Sequence, residues 1–203
     1  MKNIIKFLII ASFISCKAQI VNIEDECFGT NSNTYYKDIN NLLNPYEGTW
    51  KYQNGNEILI VKLRKVLNTT TSTTADVIVG EYQYIDANGV EKINTLSNFN
   101  VNNIDQSFHT IFGHCINNYT EPVCDICLTN TKRVVLVYGD PLKDVSGEFY
   151  MGKAIVGGYE AIKMFIKTDG NKVNTNGSDV YSDFTFEYVG VTIPKGWYTL
   201  IKQ

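Results

Sequence analysis

Residues 48–63 read GTWKYQNGNEILIVKL, and their grammar decides the fold class. Asn54-Gly55 is a dipeptide that supplies positive φ for a tight turn. On either side, TWKYQ and EILIVKLRKVL are rich in β-branched and aromatic residues, the composition of strands. Strand, tight turn and strand make a β-hairpin. The same grammar recurs downstream, where ADVIVGEYQYI and VEKINTLSNF flank Asp86-Ala-Asn-Gly89, a second hairpin signal. TKRVVLVYG, GEFYMGKAIVG, YEAIKMFIKT, DVYSDFTFEYVG and GWYTLIKQ follow. In DVYSDFTFEYVG, Phe184, Phe186 and Tyr188 alternate with Thr185 and Glu187, as in a half-buried strand.

Roughly nine or ten strands without crossover helices predict an all-β protein, an antiparallel barrel with a β-sandwich as the alternative. One short N-terminal helix is expected in YYKDINNLLNPY (35–46). Tyr36, Ile39 and Leu43 fall there at helical spacing, and Pro45 ends the run. The organisation expected is a leader over 1–19, an irregular lead-in over 20–34 and a single β-rich domain over 35–203. The polar loops at 68–74 and 169–179 do not divide it.

Gly48-Thr49-Trp50, just after a short helical segment, resembles the first motif of lipocalin-like barrels. The resemblance implies that Trp50 closes the narrow end of a barrel, packed by a basic side chain from a late strand, for which Lys202 is the candidate. The wider pattern, NPYEGTWKYQNGNEILIVKL with the SCKAQ start, is similar to an uncharacterised family of exported Bacteroidetes proteins. That likeness is close over the N-terminal third and looser beyond, and it implies no activity.

The chain opens MKNIIKFLIIASFISCKAQ. Lys2 and Lys6 precede an apolar run, Phe7 to Ile14, that is too short to span a bilayer and fits a secretory signal. Phe13-Ile14-Ser15-Cys16 resembles a bacterial lipobox, although that pattern prefers Leu where Phe13 stands. It implies that Cys16 receives lipid. Cleavage near Ala18-Gln19, with Cys16 discarded, is the alternative. The expected location is therefore the outer membrane or periplasm, held by a lipid anchor, or else a soluble secreted or periplasmic form. The formal charge is −3, and no basic stripe exists to bind nucleic acid.

Export gives the cysteines their meaning. HCINNYTEPVCDIC (114–127) holds one histidine and three cysteines. Cys124 and Cys127 have the spacing of half a zinc site, with His114 and Cys115 as the other half. A redox role for that pair needs a helix after Cys127, but LTNTKRVVLVYG reads as a turn and a strand. In an oxidising compartment, Cys27, Cys115, Cys124 and Cys127 are expected instead to form two structural disulfides. The short Cys124–Cys127 loop gains least from closure. One of those two is thus expected to pair with Cys115 and the other with Cys27.

Catalytic signals are weak. Asp105, Ser107 and His109 share one face of an extended strand, but Ser107 lies between the other two, and Asp105 and His109 stand ~13 Å apart at strand rise. A relay needs the imidazole in contact with both partners. Glu81, Glu148, Glu160 and Glu187 lie in predicted strands, where any two converging inside a barrel would form an acid/base pair. No GxSxG, HExxH or P-loop pattern is present. The expectation is an envelope lipoprotein with a non-enzymatic barrel and no cofactor. A small apolar or amphipathic ligand is the leading partner and another protein the alternative. A hydrolase with a carboxylate pair is the third reading.

Overall fold

The computed structural model describes residues 19–27, 31, 33–70, 74–101, 108–117, 122–129, 132–167, 171–174, 185–188 and 190–203. Eight strands close into an antiparallel barrel. They are β3 (Gly48–Asn54), β4 (Glu57–Thr70), β5 (Thr74–Ile85), β7 (Ile111–Asn117), β8 (Arg133–Asp140), β9 (Val145–Val156), β10 (Tyr159–Lys167) and β13 (Gly196–Lys202). Each pairs with the next in chain order, and β13 closes the ring on β3 through Lys202↔Trp50. This is an up-and-down barrel, the architecture that removes free sheet edges. The family likeness drawn from Gly48-Thr49-Trp50 implied a barrel of this kind. Among the described residues five strands lie outside the ring, four of them in two pairs. β1 (Gln19–Asn22) and β2 (Thr34–Lys37) run parallel to each other and to the start of β5. β11 (Asn171–Asn174) and β12 (Thr185–Tyr188) form a separate hairpin, so DVYSDFTFEYVG adds no stave to the barrel. β6 (Glu91–Asn94) extends β5 beyond the ring.

The β3–β4 turn has Gly55 and Asn56 as its central pair, one residue later than Asn54-Gly55, with Gly55 at φ 59. The β5–β6 turn is held by the Asp86 carboxylate, which accepts from the N–H groups of Asn88 (2.9 Å) and Val90 (3.0 Å). Gly89 supplies φ 78 there. The hairpin ends, 54–57, 85–91 and 140–145, mark the upper rim. The ends of β4 and β5 at Thr70 and Thr74 and the turn 156–159, with Gln19 and the C-terminal Gln203, mark the lower one.

Alternation sends Leu59, Val61 and Leu63 of β4 inward, opposite Tyr84, Tyr82 and Gly80 of β5. The middle of the barrel is aromatic. Tyr138 stacks on Phe149 with ring centroids 4.0 Å apart, and Tyr82 meets both edge-on at 6.0 and 6.5 Å. Each such pair contributes about 0.5–1.5 kcal/mol beyond area burial. Gly147 makes room for this packing, since a Cβ there would stand 2.6 Å from the Tyr138 ring. Tyr138 Oη is buried without a hydrogen-bond partner, a cost of about 1–3 kcal/mol that the ring contacts offset. Burial raises the Tyr82, Tyr84, Tyr138 and Tyr198 hydroxyls above the ordinary phenol range.

The N-terminal helix expected over 35–46 shrinks to one 3-10 turn, Asn44–Tyr46, and its first residues are strand β2. Long-range bonds explain the difference. The Tyr35 hydroxyl donates to Asp76, and Asp38 N–H donates to the same carboxylate at 3.0 Å. The Asp38 carboxylate accepts from Leu42 N (2.7 Å), Leu43 N (3.0 Å) and Lys65 Nζ (2.7 Å). Both charges of the Asp38–Lys65 pair are buried, and these extra bonds are what such burial requires. The segment thus plugs the lower end of the barrel rather than coiling. The lead-in expected to be irregular likewise carries β1 and the buried Ile23.

His114, on β7, is buried and stacks on Tyr36 at 6.3 Å. Burial lowers its pKa, and the Asp76 charge opposes that only in part. A buried imidazole that resists protonation contributes stability fully present above the ordinary imidazole value of about 6.5 and lost as pH falls below it. Calorimetry between neutral and mildly acidic pH should therefore show a steeper fall in Tm for the parent chain than for His114→Phe. Equal slopes would remove His114 as the cause.

Candidate functional site

The upper rim carries a cleft of about 490 Å³ between the β8–β9 turn and the segment entering β7. Asp140-Pro141 builds one wall. Asp140 Oδ1 accepts from Leu142 N (3.0 Å) and Lys143 N (3.3 Å), an Asx turn, and Asp144 closes the turn at φ 54. Asp140 Oδ2 accepts from Thr192 N, and Lys143 Nζ donates to Gly190 O at 2.6 Å. Those two bonds fold 190–194 onto the rim, where Val191 and Ile193 are buried. The opposite wall is Phe108 and Thr110, held to β8 by Gly139 N–H donating to Thr110 O at 2.8 Å. Phe108 is 73% exposed, an aromatic face turned to solvent at the mouth. Val145 and Pro141 add apolar surface, while Ser146 and the Asp144 carboxylate add polar groups.

Behind Thr110 lies a buried chain of charges on the outer wall. Glu81 is fully buried; it accepts from His109 Nδ1 (2.9 Å), from Thr110 N (3.4 Å) and from the Thr110 hydroxyl. His109 Nε2 lies 3.2 Å from Arg64 Nη2. A guanidinium only donates, so Nε2 accepts and the imidazole proton sits on Nδ1, facing the carboxylate. Phe99, on the 3-10 helix Leu96–Asn100, covers Lys62 (4.4 Å) and Arg64 (5.7 Å). The cluster pins the 3-10 helix Leu96–Asn100 and residues His109 and Thr110 to β4 and β5. It is not a catalytic relay: the nitrogen that would take a proton from a nucleophile is occupied by Arg64, and the Thr110 hydroxyl is turned to Glu81.

Asp105 and Ser107 lie outside the described residues, so the structure places only His109 of that string, and its acid partner is Glu81. Glu148 and Glu160 do not converge with Glu81 or with each other. Glu148 accepts from Tyr150 Oη (2.8 Å) and Lys167 Nζ (3.4 Å), Glu160 meets Lys202 Nζ at 2.7 Å on the lower rim, and Glu187 belongs to the separate hairpin.

At the lower end Trp50 is completely buried, its indole N–H donating to Tyr46 O at 2.8 Å. Lys202 Nζ lies 5.5 Å from the ring centre. Lys153 Nζ lies closer, at 4.6 Å, and donates to Pro45 O at 3.0 Å. Lys153 escaped the sequence reading; its alternation with Phe149 and Met151 on β9 was the signal, since it puts the side chain on the inner face. Cys16 lies outside the described residues.

The cysteines pair as Cys27–Cys115 and Cys124–Cys127, with Cα atoms 4.6 and 5.6 Å apart. That corrects the expected crossing of Cys124 and Cys127 with Cys27 and Cys115. Cys115 sits on β7 beside a bulge between Phe112 and Cys115, which the turn after β1 approaches through Cys27. Cys127 instead packs on Gly152 of β9, where any Cβ would collide with its sulfur. Leu128 N–H donates to Lys153 O at 2.9 Å and fixes the short loop there. With all four sulfurs so joined, the set His114, Cys115, Cys124 and Cys127 does not form a metal site, and among the described residues no group of three metal-binding side chains occurs.

Set against known proteins, the chain matches a family model of unknown function (DUF6705) over residues 1–203, and it belongs to that family. No curated protein and no solved structure matches it.

Proposed function

We propose that this DUF6705 protein is an exported, lipid-anchored envelope protein whose barrel binds a small amphipathic ligand at its upper rim, without catalysis. The observation that carries the reading is the cleft of about 490 Å³, inside the ~300–1,000 Å³ range of small-molecule sites. Its chemistry is mixed: Phe108, Pro141 and Val145 offer an apolar face, and Ser146 and Asp144 offer a hydroxyl and a carboxylate. A ligand with a short apolar body and an ammonium or hydroxyl group matches both. The barrel's aromatic middle, by contrast, is filled by its own rings. Export is supported by the leader-like first residues and by two disulfides. The absence of catalysis is supported by Arg64 on His109 and by the separation of the carboxylates.

Octylammonium titrated into the oxidised protein tests the reading. Shifts in amide resonances are expected at 108–110 and 139–146, weakened in Phe108→Ser, whose exposed ring contributes little to stability. Shifts confined to inward-facing residues such as Tyr82 and Phe149, or no saturable shifts, would sink the rim-site reading.

A further inference from the structure

We propose that the lower rim of the barrel rests on the surface of a phospholipid bilayer, so that the rim cleft points away from the membrane. This rests on the lipid anchor at Cys16 described under the proposed function.

The chain's path begins at β1. Gln19, the first residue of β1, pairs with Thr34, and the next residue, Tyr35, pairs with Thr74 at the lower start of β5. β1 and β2 run parallel to β5, so the chain enters the domain from beyond the lower rim. Cys16 precedes Gln19 by three residue steps, which reach at most about 11 Å fully extended. The headgroup zone alone is roughly 5–7 Å thick on each side of the hydrocarbon. An acyl-bearing cysteine at the base of that zone leaves only a few ångströms of chain above it. The lower rim is therefore held at the bilayer surface.

That rim has the side chains for contact. Ile20 on β1, Ile39 after β2, Leu67 near the lower end of β4, Val123, and Ile155 and Tyr159 at the β9–β10 turn are each 53–68% exposed. Ile39 and Leu67 flank the buried Asp38–Lys65 pair, which ties the plug segment to β4 beneath the barrel. Exposed apolar side chains stand at both rims, Phe108 and Leu142 among those at the upper one, and it is the short tether that brings the lower set against the membrane holding the anchor. Isoleucine and leucine enter the boundary between headgroups and acyl chains, and tyrosine favours the headgroup level. One acyl group alone binds reversibly, so each contact of this kind slows release.

Hydroxyl-radical footprinting of the full chain in nanodiscs of phosphatidylethanolamine and phosphatidylglycerol, against Cys16→Ser in solution, reads the contact directly. Oxidation of peptides carrying Ile39, Leu67 and Tyr159 is expected to fall several-fold in nanodiscs, while Phe108 and Leu142 on the upper rim keep their rates. Intact-mass analysis of the same sample reports acylation. Acylated protein with unchanged rates at Leu67 and Tyr159 overturns the seated orientation and leaves the anchor standing. Protein without acyl groups overturns the anchor and the orientation with it.

Discussion

Trp50→Ala is expected to lower unfolding stability by about 3–5 kcal/mol, the range for emptying a buried tryptophan site. The side chain is fully buried at the lower end of the barrel, where β3, β13 and the 3-10 turn Asn44–Tyr46 meet. Three losses coincide. Leu43 and Tyr46 are already buried in the core, and the flexible neighbours, Lys153 and Lys202, would have to bury an ammonium group to fill the cavity. Tyr46 O loses the indole donor, and a buried acceptor left unpaired costs about 1–3 kcal/mol. Lys153 loses the ring face beneath its ammonium. For a domain of this size the change corresponds to a Tm drop of about 6–20 °C. Urea titration should show a lower midpoint with an unchanged m-value. Two milder variants locate the cause. Trp50→Phe keeps a ring but orphans Tyr46 O, so it should fall between the parent and Trp50→Ala. Lys153→Ala should cost more than Lys202→Ala, because the Lys153 side chain is 13% exposed and that of Lys202 41%. A Trp50→Ala midpoint indistinguishable from the parent would mean that this end is not what closes the barrel.

The barrel was legible where local chemistry decides local structure. Gly55 and Asp86–Gly89 are turns because few other residues take those backbone conformations, and the alternation of Leu59, Val61 and Leu63 follows from the period of a strand. Legibility failed where partners come from far along the chain. Tyr36, Ile39 and Leu43 satisfy helical spacing, but Tyr35 and Asp38 reach Asp76, 41 and 38 residues on, and those bonds hold an extended chain. β7 was hidden for another reason: the bulge at Phe112–Cys115 breaks the alternation that marks a strand, leaving only the cysteines to be noticed. The cleft was half legible. Asp140-Pro141 announces a turn, yet only closure of β5 on β7 brings Phe108 and Thr110 beside it. Glu81 read as one strand carboxylate among several; its burial comes with His109 and Thr110 folded against the outer wall, which no period in the sequence reports.

Removing the two disulfides separately should give unequal losses. Cys27–Cys115 spans 88 residues, and Cys124–Cys127 spans three. In the chain-entropy account, closing the long loop is worth about 4.5 kcal/mol and the short one about 2. Packing acts in the same direction. Cys115 is buried on β7, and its bond holds the N-terminal segment that plugs the lower end, with Ile23 and Tyr36 in the core. Losing that bond frees the segment to fray and exposes Asp38, Lys65 and Asp76, charges that stay buried only while their partners are in place. Cys27→Ser/Cys115→Ser should therefore unfold at a much lower temperature and lose hydrogen-exchange protection first in β1 and β2. Cys124→Ser/Cys127→Ser should change exchange only at 122–129 and at the Leu128–Lys153 bond that holds the short loop to β9. Mass mapping of non-reduced peptides fixes the premise, and cross-linked peptides joining Cys124 to Cys27 or Cys115 would reverse it. If the pairing holds and both double variants lose equal stability, the long loop is not constraining the unfolded chain. The N-terminal plug would then be held by the bonds of Asp38 and Asp76 and by the pairing of β2 with β5, without help from Cys27–Cys115.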